Sequence, residues 1–143
     1  MKFINFLIII FITFPSTIKA DSFKELRKEL LKGNKLIFIR HAYAPGGGDP
    51  DNFDLKDCNT QRNLSDRGKK QAHKLKNFFI KNKIQNYLVF SSEWCRCKET
   101  ASLAFGKFET KKFLNSFYSL KFAKNRTKQI KDLKRYVKSY SVG

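Results

Sequence analysis

Apolar positions fall into two different rhythms along this chain. Phe3 to Phe14 is almost wholly apolar and follows a single positive residue, Lys2. Phe23, Leu26 and Leu30 then recur at helical spacing behind Asp21 or Ser22, either of which suits a helix N-cap, and Gly33-Asn34 marks the stop. Lys35–Arg40 is different: Leu36-Ile37-Phe38-Ile39 is apolar at consecutive positions, as in a strand covered on both faces. Residues 42–64 read as a long loop around Pro45-Gly46-Gly47-Gly48-Asp49-Pro50, and loops of that length are usually functional or disordered. Ser65 caps a predicted helix reaching about Lys81, with Ala72, Leu75, Phe78 and Phe79 as its buried stripe. A second strand over Tyr87–Ser91 follows, then a helix from about Trp94 to Phe105. A last helix runs from about Lys128 to Tyr140 through Ile130, Leu133 and Val137.

The resulting order α-β-α-β-α-α predicts an α/β fold, a three-layer α/β/α sandwich with a mainly parallel sheet. In such sheets ligands bind beyond the carboxyl ends of the strands. Arg40, His41, Ser91 and Ser92 all lie at those ends.

Residues 1–20 read as a secretory signal peptide, with the mature domain over 21–143. The apolar core is of signal length and short of the roughly 20 residues a bilayer span needs, and Pro15 to Ala20 resembles a cleavage region. Residue 21 is Asp, so no lipid-anchoring cysteine follows. An uncleaved N-terminal anchor is the competing reading. Export places the protein in the periplasm or outside the cell, with no stable membrane span once the leader is removed. An oxidising compartment permits disulfides. Cys58, Cys95 and Cys97 allow at most one internal bridge, from Cys58 to one of the other two, or all three are small buried thiols. Three thiols without a neighbouring histidine do not make a zinc site, and no metal or cofactor is expected.

The chain of 143 residues fits one domain, and 15 Phe supply apolar material for a core. The formal charge of +18 favours anionic partners. The lysines are spread along the chain, although residues 121–143 hold eight Lys or Arg and one Asp. A nucleic-acid-binding module is therefore one reading. The helical Ile130–Leu133–Val137 spacing and the export signal argue against it, and no nucleic-acid partner is expected.

Three motifs occur in order: Arg40-His41-Ala42 after the apolar run, Asn63-Leu64-Ser65-Asp66-Arg67-Gly68 opening a helix, and Ser91-Ser92 with Arg96 and Thr100. Together they resemble the histidine phosphatase superfamily, which includes the phosphoglycerate mutases, over roughly residues 35–105. Ala44 to Pro50, Asp57 to Leu64 and Ser91-Ser92-Glu93-Trp94-Cys95-Arg96-Cys97 resemble an exported bacterial branch. The resemblance implies a phosphoglycerate mutase-like fold and a phosphomonoester hydrolase in which His41 attacks phosphorus and water hydrolyses the phosphohistidine. Arg40 and Arg96 would grip the phosphoryl oxygens through planar donor forks, which Lys cannot reproduce. Arg62 and Ser92 are candidate substrate contacts, and Gly46 and Gly47 would present backbone N–H groups as an anion nest. The partner is a small phosphorylated substrate.

Each residue also has a plainer reading. Arg40 and His41 can be surface groups at a strand end, and Arg96 can pair with Glu93 or Glu99. Arg62 can serve in a structural ion pair, and the glycines can form a plain turn. His73 lies off the apolar stripe of its helix and reads as exposed and non-catalytic. The chain also departs from the family. No second histidine on a later strand follows, and Leu114-Asn115-Ser116-Phe117 stands where some phosphatases carry an acidic proton donor. Glu93, Asp49 and Asp57 are the conceivable substitutes. The domain is expected to be truncated at its C-terminus, and a catalytically impaired phosphate-binding or interaction domain is the alternative to an active enzyme.

Overall fold

The computed structural model describes residues 18–140. Nearly all of the expected leader, residues 1–17, lies outside the described residues, as do residues 141–143. The chain divides into two compact units, Met1–Gly33 and Asn34–Gly143. The first contains helix α1, Ile18–Leu31. It starts upstream of Asp21 and Ser22, so neither caps it, and it runs through the expected cleavage point after Ala20. Its end is as predicted: Gly33 and Asn34 are left-handed at φ 71 and 51, and the Gly33 N–H donates to the Leu30 carbonyl.

Helix α2, Asp66–Lys81, is the first α-helix described in the second unit, after a 3-10 turn at Cys58–Thr60. Ser65 Oγ accepts the Gly68 N–H at 3.2 Å, satisfying one of the open donors of the first turn, and Asp66 complements the dipole there. Gly68, Ala72 and Phe79 fall on one face and are buried. That face meets α3, Cys95–Phe105, whose Thr100, Ala101 and Ala104 are buried. Small residues on both surfaces let the two backbones approach, and Ala42, Ala44, Leu64 and Ala72 form the core cluster against Leu103. The larger rings lie at its margin, with Phe79 edge-on to both Tyr87 and Phe105.

The sheet differs from expectation. Among the described residues it has two strands, β1 at Phe90–Ser91 and β2 at Glu109–Thr110, paired in parallel with Phe90 opposite Glu109. The strand expected over Lys35–Arg40 joins no sheet. A strand needs a ladder partner and cover for its faces, and this run has neither: Leu36, Ile37, Phe38 and Ile39 are exposed, Phe38 by 70%. The strand expected over Tyr87–Ser91 contracts to its last two residues. The chain is thus a helix-rich α/β mixture with a small parallel sheet.

Two later helices complete the unit: α4, Leu120–Ala123, which the pattern does not predict, and α5, Arg126–Tyr140, which starts two residues before the expected Lys128. Tyr136 of α5 packs edge-on to Phe90 at 5.3 Å and against Phe113 at 5.0 Å, fastening α5 beside β1. No described helix is long and apolar enough to cross a membrane.

Candidate functional site

The segment after the exposed apolar run is held from both sides. Ala42 N–H donates to Thr100 Oγ1 at 3.0 Å, and Tyr43 N–H donates to Gln71 Oε1 at 2.9 Å. The Tyr43 carbonyl accepts the Ser65 N–H at 3.2 Å. Gly68 is required by this approach: a Cβ there would lie 2.1 Å from the Tyr43 carbonyl oxygen. Thr100 Oγ1 donates in turn to the Arg96 carbonyl at 2.7 Å, which couples the His41 segment to the first turn of α3.

His41 is half-buried. Its Nδ1 lies 2.7 Å from the Ala42 carbonyl, which can only accept, so Nδ1 carries the proton and Nε2 keeps its lone pair. Burial lowers the imidazole pKa, the Ala42 hydrogen bond partly opposes that, and the Arg96, Arg62 and Arg40 charges lower it further. The neutral ring is therefore the favoured form. The same three guanidinium groups act on one another's surroundings, since Arg62 also feels both Arg96 and Arg40.

One carboxylate stands among these cations. Asp49 Oδ1 accepts from Arg96 Nη1 at 2.6 Å and from the Arg62 backbone N–H at 3.1 Å. Its Oδ2 accepts from Arg96 Nη2 and from Trp94 Nε1, each at 3.1 Å. Burial works against ionisation, yet the Arg96 fork, the Arg62 N–H and the Trp94 indole outweigh it, and the carboxyl sits below its usual range. Asp49 is thus ionised at neutral pH and holds no proton to donate. Arg62 Nη1 donates to the Ala44 and Gly46 carbonyls at 2.5 and 3.1 Å. The Nε atoms of Arg62 and Arg96 are buried donors without a partner among the described residues.

A disulfide from Cys58 to Cys95 resolves the alternatives left open by the sequence and ties the loop to the start of α3, with Cα atoms 5.7 Å apart. Gln61, buried beside it, accepts the Cys95 N–H at 2.9 Å and donates to the Asp54 and Leu55 carbonyls. Cys97 remains a free thiol, its pKa raised by burial against the opposing effect of a hydrogen bond with Ser92.

The predicted residues therefore divide. His41, Arg62 and Arg96 are drawn together, with Arg40 exposed yet within electrostatic reach of His41. Ser92 is buried and engages Cys97. In the glycine run, the Gly46 carbonyl accepts from Arg62 Nη1, and Gly47 is exposed. Arg96 pairs with neither Glu93 nor Glu99. Glu93 accepts from Asn115 Nδ2, and Glu99 pairs with Lys69. His73 is exposed on α2, as read from its helix face. Trp94 and Gln61 are the residues that sequence reasoning missed as parts of the site, while Asp49, a conceivable proton donor by sequence, instead holds the Arg96 fork as an ionised carboxylate. The usable signal was the arginine itself, because a buried guanidinium demands a carboxylate. An open cavity of about 540 Å³ lies elsewhere, lined by Cys58, Leu64, Leu103 and Phe108 among others, and none of His41, Arg62 or Arg96 borders it. No protein-family model matches the chain, and comparisons with curated proteins and with solved structures returned no match.

Proposed function

We propose that this chain is a phosphoryl-binding domain of the histidine phosphatase type, hydrolysing small phosphomonoesters through a phosphohistidine on His41. The observation that carries the reading is a single one. Asp49 takes the Arg96 fork and the Arg62 backbone N–H, and the charges of Arg96, Arg62 and exposed Arg40 all bear on the half-buried His41 imidazole. That cluster holds excess positive charge, as a site for an oxyanion requires.

In the proposed step, His41 Nε2 forms a bond to phosphorus while the bond to the ester oxygen breaks, and the departing alkoxide takes a proton from solvent water. Water then attacks the phosphohistidine, restoring the ring and releasing phosphate. Catalysis of this kind is positioning and charge stabilisation, supplied by the guanidinium donors. The wider architecture we infer is the three-layer sandwich; the parallel pairing of β1 and β2 supports it. The Cys58–Cys95 bridge supports an oxidising, exported location.

A second reading has its own support. His73, the other histidine of the chain, is exposed on α2, and Asp49 is held ionised by Arg96. Neither supplies a proton at the cluster, which favours a domain that binds phosphate with little turnover. Incubation with a generic aryl phosphate separates the two. Phosphate trapped on His41 with release of the phenol supports the enzyme. Saturable phosphate binding without release supports the binder, and no interaction at all removes both.

A further inference from the structure

We propose that Asp49 is the positioning residue for Arg96: its carboxylate takes the Nη1–Nη2 fork and fixes the guanidinium plane, leaving Nε–H for an oxyanion. The proposal rests on the phosphoryl-binding reading of the same site and assigns the part of the glycine-rich loop within it.

Each oxygen of Asp49 accepts two hydrogen bonds, and the four donors come from three places in the chain: the Arg96 side chain, the Trp94 indole and the Arg62 backbone. Both partners are largely enclosed, the Asp49 side chain 15% exposed and that of Arg96 9%. Trp94, which contributes one donor, is itself clamped: its ring stacks on Phe53 at 5.4 Å and meets Phe122 edge-on at 5.5 Å. A carboxylate saturated in this way is a fixed part of the wall. A mobile plug would forfeit four hydrogen bonds on leaving, and the Trp94 and Arg62 N–H groups would lose their acceptor.

What Asp49 leaves open matters equally. With both Nη atoms engaged, Arg96 Nε is its unpartnered buried donor, and Arg62 Nε is in the same state because Arg62 Nη1 is spent on loop carbonyls. Buried donors without partners are costly in a folded protein and mark a place where an acceptor belongs. Phosphoryl oxygens are such acceptors, and an arginine fixed in one plane loses less side-chain freedom on meeting them. The left-handed Gly46 and Gly48, at φ 86 and 75, carry the chain through the bend that delivers Asp49 to Arg96.

The test measures inorganic phosphate binding to the full chain by calorimetry, beside thermal unfolding, for wild type, Asp49→Asn, Asp49→Glu and Trp94→Phe. Asp49→Asn is expected to weaken phosphate binding about tenfold or more, from loss of charge-assisted bonds that orient Arg96. Asp49→Glu should recover most of that loss, which a purely structural defect would not allow. Trp94→Phe keeps the ring and deletes one donor, so it should fall between, and it carries the test if Asp49→Asn does not fold. Unchanged binding in Asp49→Asn, or in Trp94→Phe where that variant stands in, overturns the positioning role while the site reading stands. Tighter binding also overturns it and identifies a substrate-mimicking plug. Absence of phosphate binding in the wild type overturns the phosphoryl reading and this proposal with it.

Discussion

Asp49 and Arg96, 47 residues apart in the chain, meet through paired hydrogen bonds of 2.6 and 3.1 Å. Because both side chains are enclosed, removing one partner strands the other. Arg96→Ala leaves an uncompensated carboxylate beside Arg62 and Trp94, and the expected loss is about 3 kcal/mol of folding stability. Chemical denaturation of the variant against wild type checks it, and a loss of under about 1 kcal/mol would place this pair with ordinary surface ion pairs.

His41 gives the protein a pH dependence of predictable sign. Its folded-state pKa is lowered, first by burial and then by Arg96, Arg62 and Arg40. The unfolded chain therefore binds the proton first, and stability is full above the ordinary imidazole value of about 6.5. It falls as pH drops from there through the folded-state value. Asp49 acts with the same sign in the carboxylate range, since its folded pKa is also depressed. Denaturation midpoints measured from pH 8 to pH 5 should decline in wild type and flatten in His41→Gln; equal slopes would contradict the shift.

Gly68 admits no side chain, because a Cβ would lie 2.1 Å from the Tyr43 carbonyl oxygen. Backbone, unlike the tip of a flexible side chain, cannot step aside. Gly68→Ala should force α2 away from the 42–44 segment and cost about 1–3 kcal/mol, lowering the unfolding midpoint by several degrees. A wild-type midpoint in this variant would show that the approach is not tight in solution.

The Cys58–Cys95 bridge closes a loop across a sequence separation of 37 and ties the Gln61–Arg62 segment to the start of α3. Replacing both cysteines with serine should remove about 3–4 kcal/mol, by the loop-closure argument. Under reducing conditions wild type should approach the double variant. If reduction leaves the unfolding curve unmoved, the bridge contributes nothing to the fold.

How much of this was legible beforehand depended on how local each feature is. Ser65 as a cap and the Gly33-Asn34 stop are each specified within a few residues and match the structure, and of the expected Ala72, Leu75, Phe78 and Phe79 stripe Ala72 and Phe79 are buried while Leu75 and Phe78 are partly so. The 36–39 run has the composition of an inner strand, yet strand formation depends on partners elsewhere, so its apolar pattern could not report that its faces stay open. Glu109–Thr110 failed for the opposite reason: two polar residues carry no periodicity, and only pairing with Phe90–Ser91 makes them a strand. At the site, Arg96 and His41 stood out by residue type. Asp49 was legible only as one of three conceivable proton donors, because its contacts to Arg96 and Trp94 span 47 and 45 residues.

The central claim is that the His41–arginine cluster receives an oxyanion, and phosphate titration followed by nitrogen NMR of the imidazole rings tests it most directly. The account predicts saturable shifts at His41, none at the exposed His73, and loss of the His41 response in Arg96→Gln. A His41 signal that ignores phosphate, or two histidines that drift together as buffer composition changes, would contradict it.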